Sequence, residues 1–371
     1  MTTPPKCIAI VNGTGRQAAS VIRTVASIGW SVKAQIYKPH PVVKDELNDF
    51  DTIELFEEAL QDEETGEVNE QLIEQLFQDC DYAFINTFPA GDEVRLGKAL
   101  ANAAQRHGVE HYLYSVMPDH SVSNSAWPAL PNWACKYTVE QYIRQLGIPA
   151  TYIYTGIYNN NFTSLPYPLF CMEFQDDDTI EWRAPFHPET RLPWLDAEAD
   201  TGPAVLQLLK SDLKKWRDRR LCLAFQNLTP LEVCDAFSRA LHRRVNYVHE
   251  KHIRVSVPIP ANYAAQLRGT EKLFGQFNAP YFPASLFEHL SISETHHDSS
   301  RSDTRPRLEG AMRTSTDSQS REGGSRKKLI SEARKLWPGF RRIEDYAREA
   351  FPIEEENNGK TWMKDMKSIS S

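Results

Sequence analysis

The sequence lacks paired cysteines. Its six cysteines lie far apart and form no C-x-x-C motif, so neither a zinc site nor a disulfide framework is indicated. They are Cys7, Cys80, Cys135, Cys171, Cys222 and Cys234. We therefore expect a reducing compartment. The histidines indicate no metal site either, because His249 and His252 have no third ligand nearby.

Positive charge is also scarce. The chain has 42 Lys and Arg against 50 Asp and Glu, which leaves a formal net charge of -8. Proteins that bind nucleic acid directly use Lys and Arg to neutralise phosphates. The charge balance therefore argues against direct nucleic-acid binding and favours a basic partner.

Long apolar runs are missing too. No stretch approaches the roughly 18 apolar residues that a membrane-spanning helix needs, and residues 1–6 contain no signal-peptide core. We expect a soluble intracellular protein without membrane contact. The 371 residues suffice for two compact units plus tails, since a domain usually has about 100 to 200 residues.

The most informative feature that is present is a glycine pattern near the start. An apolar segment from Cys7 leads into residues 13–18, which fit G-x-G-x-x-A. In this motif the first glycine permits a tight turn, and the second lets backbone amides approach a pyrophosphate at a helix N-terminus. A plain tight turn is the alternative, but the order of strand, turn and helix favours dinucleotide binding.

Apolar strands and helical patterns alternate after this turn. Further strands are predicted at 32–36, 52–56, 82–86, 111–115 and 151–154. The clearest helices are predicted at 92–107 and 136–146, and Thr229 with Glu232 forms a capping box for a later one. Such alternation is typical of an α/β fold, a Rossmann-type doubly wound parallel sheet.

Changes in composition divide the chain into units. We expect a dinucleotide-binding Rossmann domain at 1–155 with 190–225 returning to it, a smaller α+β domain at 156–290, a disordered linker at 291–328 and a C-terminal helical segment at 329–371. The linker has too few large apolar residues to order itself. Its basic run 325–328 is either a nuclear address or a solvated charge cluster.

Residues after the second predicted strand bear on cofactor selectivity. NAD-selective dehydrogenases place an acidic residue there to bind the ribose 2′-hydroxyl, but this chain has Tyr37 and Lys38 and no carboxylate before Asp45. Strict NAD selectivity is therefore not expected. Arg16 and Lys38 are either solvated charges or ligands for a 2′-phosphate, and in the second case NADP is accepted.

Asn86, Thr87 and Phe88 end the fourth predicted strand. They are either a plain strand-end turn or part of the ligand site, because open α/β sheets bind ligands at the carboxyl edge of the strands. We favour a lining role, since this strand is expected beside the glycine turn.

The catalytic pair of short-chain reductases is incomplete. Such enzymes need a Tyr hydroxyl to transfer a proton and a Lys four residues later on the same helical face. The candidate lysine is Lys136, but Asn132 precedes it by four residues, and the neighbouring Tyr137 points about 100° around the helix. Lys136 alone remains a possible base.

Three consecutive amides follow Tyr158, at Asn159, Asn160 and Asn161. They offer hydrogen-bond donors and acceptors without an acid or a base. Two interpretations are equally supported by spacing: the amides bind a nicotinamide carboxamide, or they cap their own turns.

Long stretches of the sequence carry a resemblance. They read NGTGRQAAS, AFINT, YSVMPDH, WPALPNWACKYTVEQYIRQLG, GIYNNNFTSLPYPLF, LPWLDAEAD and EARKLWPGFRRIEDYAREAFPIEEE. Together they resemble the NmrA-like family of atypical short-chain dehydrogenases, which includes fungal negative regulators of nitrogen metabolite repression. The resemblance runs from about Lys6 to Phe287 and returns after the linker.

The resemblance implies a regulator that binds NAD and NADP, with the oxidised forms preferred, and has no dehydrogenase activity. It also implies a protein partner, the zinc finger of a GATA-type activator, and a location in nucleus and cytoplasm. The implied cofactor site comprises Asn12, Gly13, Thr14, Gly15, Arg16 and Gln17 around the phosphates, Tyr37 and Lys38 at the adenine ribose, Asn86, Thr87 and Phe88 after the fourth strand, Lys136 at the ribose, and Tyr158, Asn159, Asn160 and Asn161 at the nicotinamide.

Two departures from the family pattern stand out. The turn has Gly13 where the family is expected to have Ala, a change that leaves phosphate approach intact, and the linker differs in composition. Acidic runs are candidates for the surface that meets a basic zinc finger, although each is otherwise a solvated face. These runs are 176–178, 196–200 and 354–356.

The rival hypothesis is an NADP-dependent reductase of the isoflavone-reductase kind with Lys136 as base. Its substrate cleft would be lined by Tyr154, Phe162 and Trp194.

Overall fold

The structure is a computed structural model. It describes residues 5–37, 41–88, 91–163, 169–170, 172–255, 258–259, 261–290 and 329–357. Two predictions, for Lys38 and for the linker 291–328, lie outside the described residues.

Thirteen strands and twelve α-helices are present in these ranges. The strands are β1 Cys7–Val11, β2 Ser31–Gln35, β3 Ile53–Phe56, β4 Tyr82–Ile85, β5 His111–Val116, β6 Ala150–Thr155, β7 Ile157–Tyr158, β8 Met172–Phe174, β9 Ile180–Ala184, β10 Leu192–Leu195, β11 Arg219–Leu223, β12 Gln226–Leu228 and β13 Val245–His249. The helices are α1 Arg16–Ala26, α2 Pro41–Asn48, α3 Glu70–Phe77, α4 Glu93–Arg106, α5 His120–Ser123, α6 Pro131–Leu146, α7 Ala197–Lys210, α8 Pro230–Leu241, α9 Ala261–Thr270, α10 Ser331–Leu336, α11 Ile343–Glu349 and α12 Phe351–Asn357.

The central sheet has seven strands in the order β11-β6-β5-β4-β1-β2-β3, and every pair is parallel. The order reverses between β1 and β4, where Val11 lies opposite Ile85. Open α/β sheets bind ligands at such a switch point. The prediction of a Rossmann-type doubly wound parallel sheet is therefore confirmed.

Local signals account for most helix ends. Asp92 caps α4 by accepting a hydrogen bond from the amide of Arg95, and Thr229 and Glu232 form the predicted capping box of α8. The α6 helix is longer than predicted and begins at Pro131 rather than near Lys136. Proline lacks an amide hydrogen and is tolerated in the first turn, where that hydrogen would have no helical partner.

A second apolar core lies beside the central sheet. It is enclosed by two three-stranded sheets, β12-β10-β7 and β13-β9-β8, together with α8. Large aromatic rings fill it: the Phe162 ring centroid lies 5.1 Å from that of Trp182 and 5.7 Å from that of Trp194. Aromatic pairs at such distances add to the stabilisation from burial.

The C-terminal segment, residues 329–357, packs against both cores. Ala333 and Ile330 contact the central-sheet unit, while Ile343, Tyr346 and Phe351 belong to the aromatic core. The segment therefore links the central-sheet unit to the aromatic core.

Buried carboxylates of α7 anchor this segment. Asp200 accepts hydrogen bonds from the Trp337 indole at 3.2 Å and the Arg341 amide at 3.0 Å, and Asp196 pairs with the Arg341 guanidinium at 3.1 Å. Asp196 and Asp200 are 0% and 1% exposed. The prediction that the run 196–200 presents an acidic surface is therefore wrong for these two residues, because both carboxylates face inward.

Asp200 makes the stability depend on pH. Burial, and to a smaller degree the charge of Asp196, raises its pKa from 3.8 to about 7. Between these two pKa values the folded state keeps a proton that the unfolded state releases. The free energy of unfolding therefore falls as pH rises towards 7, and the contribution of Asp200 is constant above it. We expect the free energy of unfolding of the wild type to fall by up to about 4 kcal/mol more than that of Asp200→Asn over this pH range. Urea unfolding at a series of pH values measures the difference.

Asp177→Asn is the matched control. Asp177 is exposed, and its hydrogen bonds to Thr179 lower its pKa, so its contribution to stability has the opposite sign and grows as pH rises. Parallel pH profiles for wild type and Asp200→Asn would contradict the prediction.

Candidate functional site

The glycine turn is closely packed against β2. Asn12 adopts φ +61°, its carbonyl accepts from the Gly15 amide at 2.8 Å, and the Gly13 amide donates to the Gln35 carbonyl at 2.7 Å. The Gln35 side chain also accepts from the Asn12 amide at 3.2 Å. Gln35 is a site residue that sequence reasoning missed, since its role depends on its position opposite the turn.

Neither glycine accepts a side chain unless its neighbours move. A Cβ at Gly13 would lie 3.0 Å from Ile36 Cγ2, and one at Gly15 would lie 2.8 Å from Asn12 Nδ2. Gly15 immediately precedes α1, so the bare backbone leads directly into a helix N-terminus. Helix N-termini attract anions, and the turn therefore suits a pyrophosphate.

Lys136 lies beside the residues that follow β4. Its ammonium donates to the Thr87 carbonyl at 2.6 Å and to the Thr87 hydroxyl at 3.0 Å, and it pairs with Glu93 at 2.8 Å. The Thr87 hydroxyl donates to the same Glu93 carboxylate at 2.6 Å. Glu93, which sequence reasoning missed, is 3% exposed in its side chain and fixes the position of the ammonium.

Asn132 occupies the turn of α6 before Lys136, where a reductase would have its tyrosine. Its backbone amide donates to the side-chain oxygen of Gln266 at 3.1 Å. The side chain of Asn132 is an amide, which neither releases nor takes up a proton in the physiological range.

Gln17, Ser115 and Tyr158 form a hydrogen-bonded group across the site. The side-chain nitrogen of Gln17 donates to the Tyr158 hydroxyl, and its side-chain oxygen accepts from the Ser115 hydroxyl at 3.0 Å. This group joins the start of α1, the end of β5 and β7, and so connects the two structural units.

Two cavities flank the glycine turn. The first, about 270 Å³, contains the predicted residues Gln17, Asn86, Lys136, Tyr158 and Asn161. Aromatic side chains that sequence reasoning missed complete its wall: Trp133, Phe170, Phe186, Phe274 and Tyr281.

The second cavity, about 350 Å³, lies where β1 ends and shares no lining residue with the first. It contains the predicted residues Asn12, Tyr37 and Phe88, together with Gln35 and Gln61. Tyr37 and Phe88 are 42% and 65% exposed, so two aromatic faces are open to solvent at this cavity. Flat faces of this kind suit the stacking of a planar base.

The asparagine run divides between two roles. Asn161 lines the first cavity. Asn160 is buried, accepts from the Ala197 amide at 2.9 Å and donates to Glu354 at 3.1 Å. Asn159 is 0% exposed, and among the described residues neither its side-chain oxygen nor its side-chain nitrogen has a hydrogen-bond partner.

Arg16 takes part in a charge network with the C-terminal segment. Its guanidinium pairs with Glu198 and lies 3.5 Å from Glu354. Glu354 also accepts hydrogen bonds from Asn160 and Thr163, and burial raises its pKa. The acidic run 354–356 is therefore not a free surface at Glu354.

The substrate cleft predicted for the rival reductase is wrong. Tyr154, Phe162 and Trp194 are each 0% exposed and belong to the apolar cores, not to either cavity. In the described part of the chain no group of three or more His, Cys, Asp or Glu side chains is placed to bind a metal ion. No helix within the described ranges is long and apolar enough to cross a membrane.

The parallel sheet, the glycine turn at its switch point and the lysine without its tyrosine define a Rossmann-type, dehydrogenase-like fold. Residues 4–347 match the NmrA-like family, and the chain belongs to that family.

Curated relatives agree with this assignment. The chain is 48% identical to the nitrogen metabolite repression protein nmrA of Emericella nidulans, with 98% of this chain and 100% of the relative covered. It is 44% identical to the nitrogen metabolite repression protein nmr of Neurospora crassa, with 98% of this chain and 72% of the relative covered.

Solved structures of NmrA, a negative transcriptional regulator, have the same fold. The complex with NADP is 47% identical with a TM-score of 0.81, and the complex with NAD is 47% identical with a TM-score of 0.82. Each comparison covers 97% of this chain and 100% of the other. Solved structures of NmrA thus contain the two dinucleotides that the glycine turn suggests.

Proposed function

We propose that this protein is a negative transcriptional regulator in nitrogen metabolite repression that binds NAD and NADP without turnover. The names of its relatives support the regulatory role, and the solved complexes of NmrA support the cofactors. The geometry around the glycine turn supports the binding of a dinucleotide.

The cofactor would extend across the turn from one cavity to the other. Its pyrophosphate would contact the backbone of residues 12–17, where added Cβ atoms would collide. The adenine ribose would lie at Tyr37, with Phe88 in the same cavity. The nicotinamide would lie at Tyr158 and Asn161, and its ribose at Lys136. When bound, the nicotinamide supplies hydride chemistry, and the chain's own residues decide whether that chemistry is used.

The contacts of Lys136 support the proposal that the residues of this chain do not use the hydride chemistry of the nicotinamide. Its ammonium already contacts the Thr87 carbonyl, the Thr87 hydroxyl and the Glu93 carboxylate, and Asn132 replaces the proton donor. These contacts direct the Lys136 nitrogen towards acceptors of the protein itself, and Asn132 supplies no hydroxyl to pass the proton, as the tyrosine of a reductase does. Lys136 would therefore position the ribose without transferring a proton.

The proposed partner is the zinc finger of a GATA-type transcription activator, and binding would take place in nucleus and cytoplasm. A net charge of -8 suits a basic module that otherwise binds DNA. Of the three acidic runs, 176–178 is exposed throughout. The oxidised cofactor forms are expected to bind more tightly than the reduced forms.

Calorimetric titration of a purified GATA-type finger tests the partner. We expect saturable binding at micromolar protein that weakens between about 0.05 and 0.3 M salt, because charge complementarity is screened. The metal-free finger, which is unfolded, is the control and should not bind. An absence of heat at tens of micromolar protein would refute the partner while leaving cofactor binding to be measured separately.

One observation favours the rival, a reductase acting on an aromatic substrate: the aromatic wall of the first cavity lies beside Lys136. The two hypotheses differ in NADPH consumption. We expect none above background with quinones or enones. Steady consumption that Lys136→Ala abolishes would establish the reductase instead.

A further inference from the structure

Two thiols that are distant in sequence lie in contact. The sulfur of Cys7 is 3.2 Å from the sulfur of Cys80, at the amino edge of the central sheet. Cys7 begins β1, and Cys80 lies two residues before β4, the parallel neighbour of β1. This edge is opposite the carboxyl edge that contains the glycine turn.

Backbone and side-chain contacts fix this arrangement. The Cys7 amide donates to the Asp81 carboxylate at 2.8 Å, and the Asp81 amide donates to the Cys7 carbonyl at 2.9 Å. The Cys80 thiol also contacts the Leu76 carbonyl at 3.4 Å. The two sulfurs therefore stay adjacent while the strands are paired.

We propose that Cys7 and Cys80 are a reversible oxidation site that a hydroperoxide converts to a disulfide. A disulfide has a sulfur–sulfur distance of about 2.05 Å, so closure requires a movement of about 1 Å. Side-chain rotation supplies a movement of this size without separating β1 from β4. The site is independent of the proposed cofactor function.

The surroundings distinguish an attacking sulfur from a resolving one. Contact with the Cys80 thiol lowers the pKa of the Cys7 thiol; burial opposes this, and the Lys33 ammonium lowers it further. The same contact and burial raise the pKa of the Cys80 thiol. Cys7 is half-buried and Cys80 is 6% exposed, so the sulfur with the lower pKa is also the more accessible one.

The chemistry follows from these roles. The Cys7 thiolate attacks one peroxide oxygen, the O–O bond breaks, and Cys7 becomes a sulfenic acid while the second oxygen leaves as hydroxide or alkoxide. The Cys80 sulfur then attacks the sulfenic sulfur, the S–O bond breaks, and the departing hydroxide takes the Cys80 proton to form water. Two thiols are oxidised and one peroxide is reduced. Thiol reductants reverse the reaction, as expected for a redox-sensing pair in a reducing compartment.

Mass spectrometry of the full chain tests the site. Reduced protein is treated with a small excess of hydrogen peroxide, alkylated with iodoacetamide and digested without reductant. We expect an intact-mass loss of about 2 Da before alkylation, a linked peptide pair that joins Cys7 to Cys80, and recovery of both free thiols with dithiothreitol. A link between other cysteines, or equal alkylation of Cys7 and Cys80 with and without peroxide, would overturn the proposal.

Serine variants assign the order of events. Cys80→Ser should leave a Cys7 sulfenic acid that reacts with dimedone, whereas Cys7→Ser should give no adduct at Cys80. Cys135→Ser is the matched control and should form the link as the wild type does. A dimedone adduct at Cys80, or sulfinic acid at Cys7 beside a free Cys80 in the wild type, counts against the proposal. The wild-type peptide map decides the matter if a variant does not fold.

Discussion

Replacing Gly202 with alanine should lower the free energy of unfolding by about 3 kcal/mol or more. Gly202 lies in α7 where this helix crosses α1, and its amide donates to the Ser20 hydroxyl at 2.9 Å. An added Cβ would lie 2.1 Å from the Ser20 carbonyl oxygen and 2.2 Å from the Thr24 hydroxyl. Because a backbone atom cannot rotate away, the helices must separate. Urea unfolding followed by circular dichroism measures the loss.

Gly269→Ala is the matched control for this substitution. Gly269 is also helical, but an added Cβ would meet the tip of the Leu130 side chain at 2.8 Å and nothing else within 3.5 Å. A flexible side chain can move, and alanine favours the helix by about 1 kcal/mol. We expect a change within about 1 kcal/mol of wild type. A loss at Gly202 no larger than at Gly269 would contradict the proposed packing of α1 on α7.

Replacing Gly15 with valine should weaken NAD and NADP binding at least about 30-fold, or about 2 kcal/mol. Valine would push its side chain into Asn12 and into the space where a pyrophosphate approaches the N-terminus of α1. The effect should be similar for both dinucleotides, since they share the pyrophosphate. Calorimetry with each cofactor measures it.

Gly108→Ala controls for a general effect of losing a glycine. Gly108 lies after α4 with φ +67°, and an added Cβ there meets no atom of the described residues within 4 Å. Alanine at positive φ costs about 1 kcal/mol of stability, but cofactor binding should be unchanged. If Gly15→Val folds and its dissociation constants stay within about twofold of wild type, the glycine turn is not part of the cofactor site.

Local features were predictable because their signals lie within a few residues. The glycine turn, the alternation of strands and helices and the capping box at Thr229 and Glu232 all depend on short-range patterns, and the structure contains each of them. The start of α6 at Pro131 was missed because Leu130 before it has no side chain that can cap a helix, whereas Thr229 before Pro230 does.

The candidate site was only partly predictable. Lys136 and Asn86 could be chosen from motif position, and both line the first cavity. Glu93 and Gln35 could not, because nothing in their own neighbourhood shows that one meets Lys136 and the other meets the turn. The aromatic wall at Trp133 was missed for the same reason.

The class of fold, the position of the glycine turn and the replacement of a proton donor by Asn132 can all be read from the order of the residues, because each is a property of residue types at short spacing. The burial of Asp196 and Asp200 as anchors, and the contact of Cys7 with Cys80, are visible only in the folded protein. Burial and pairing are set by contacts between residues far apart in the chain. The pKa of a carboxylate or a thiol depends on the groups around it, and those groups come together only when the chain folds.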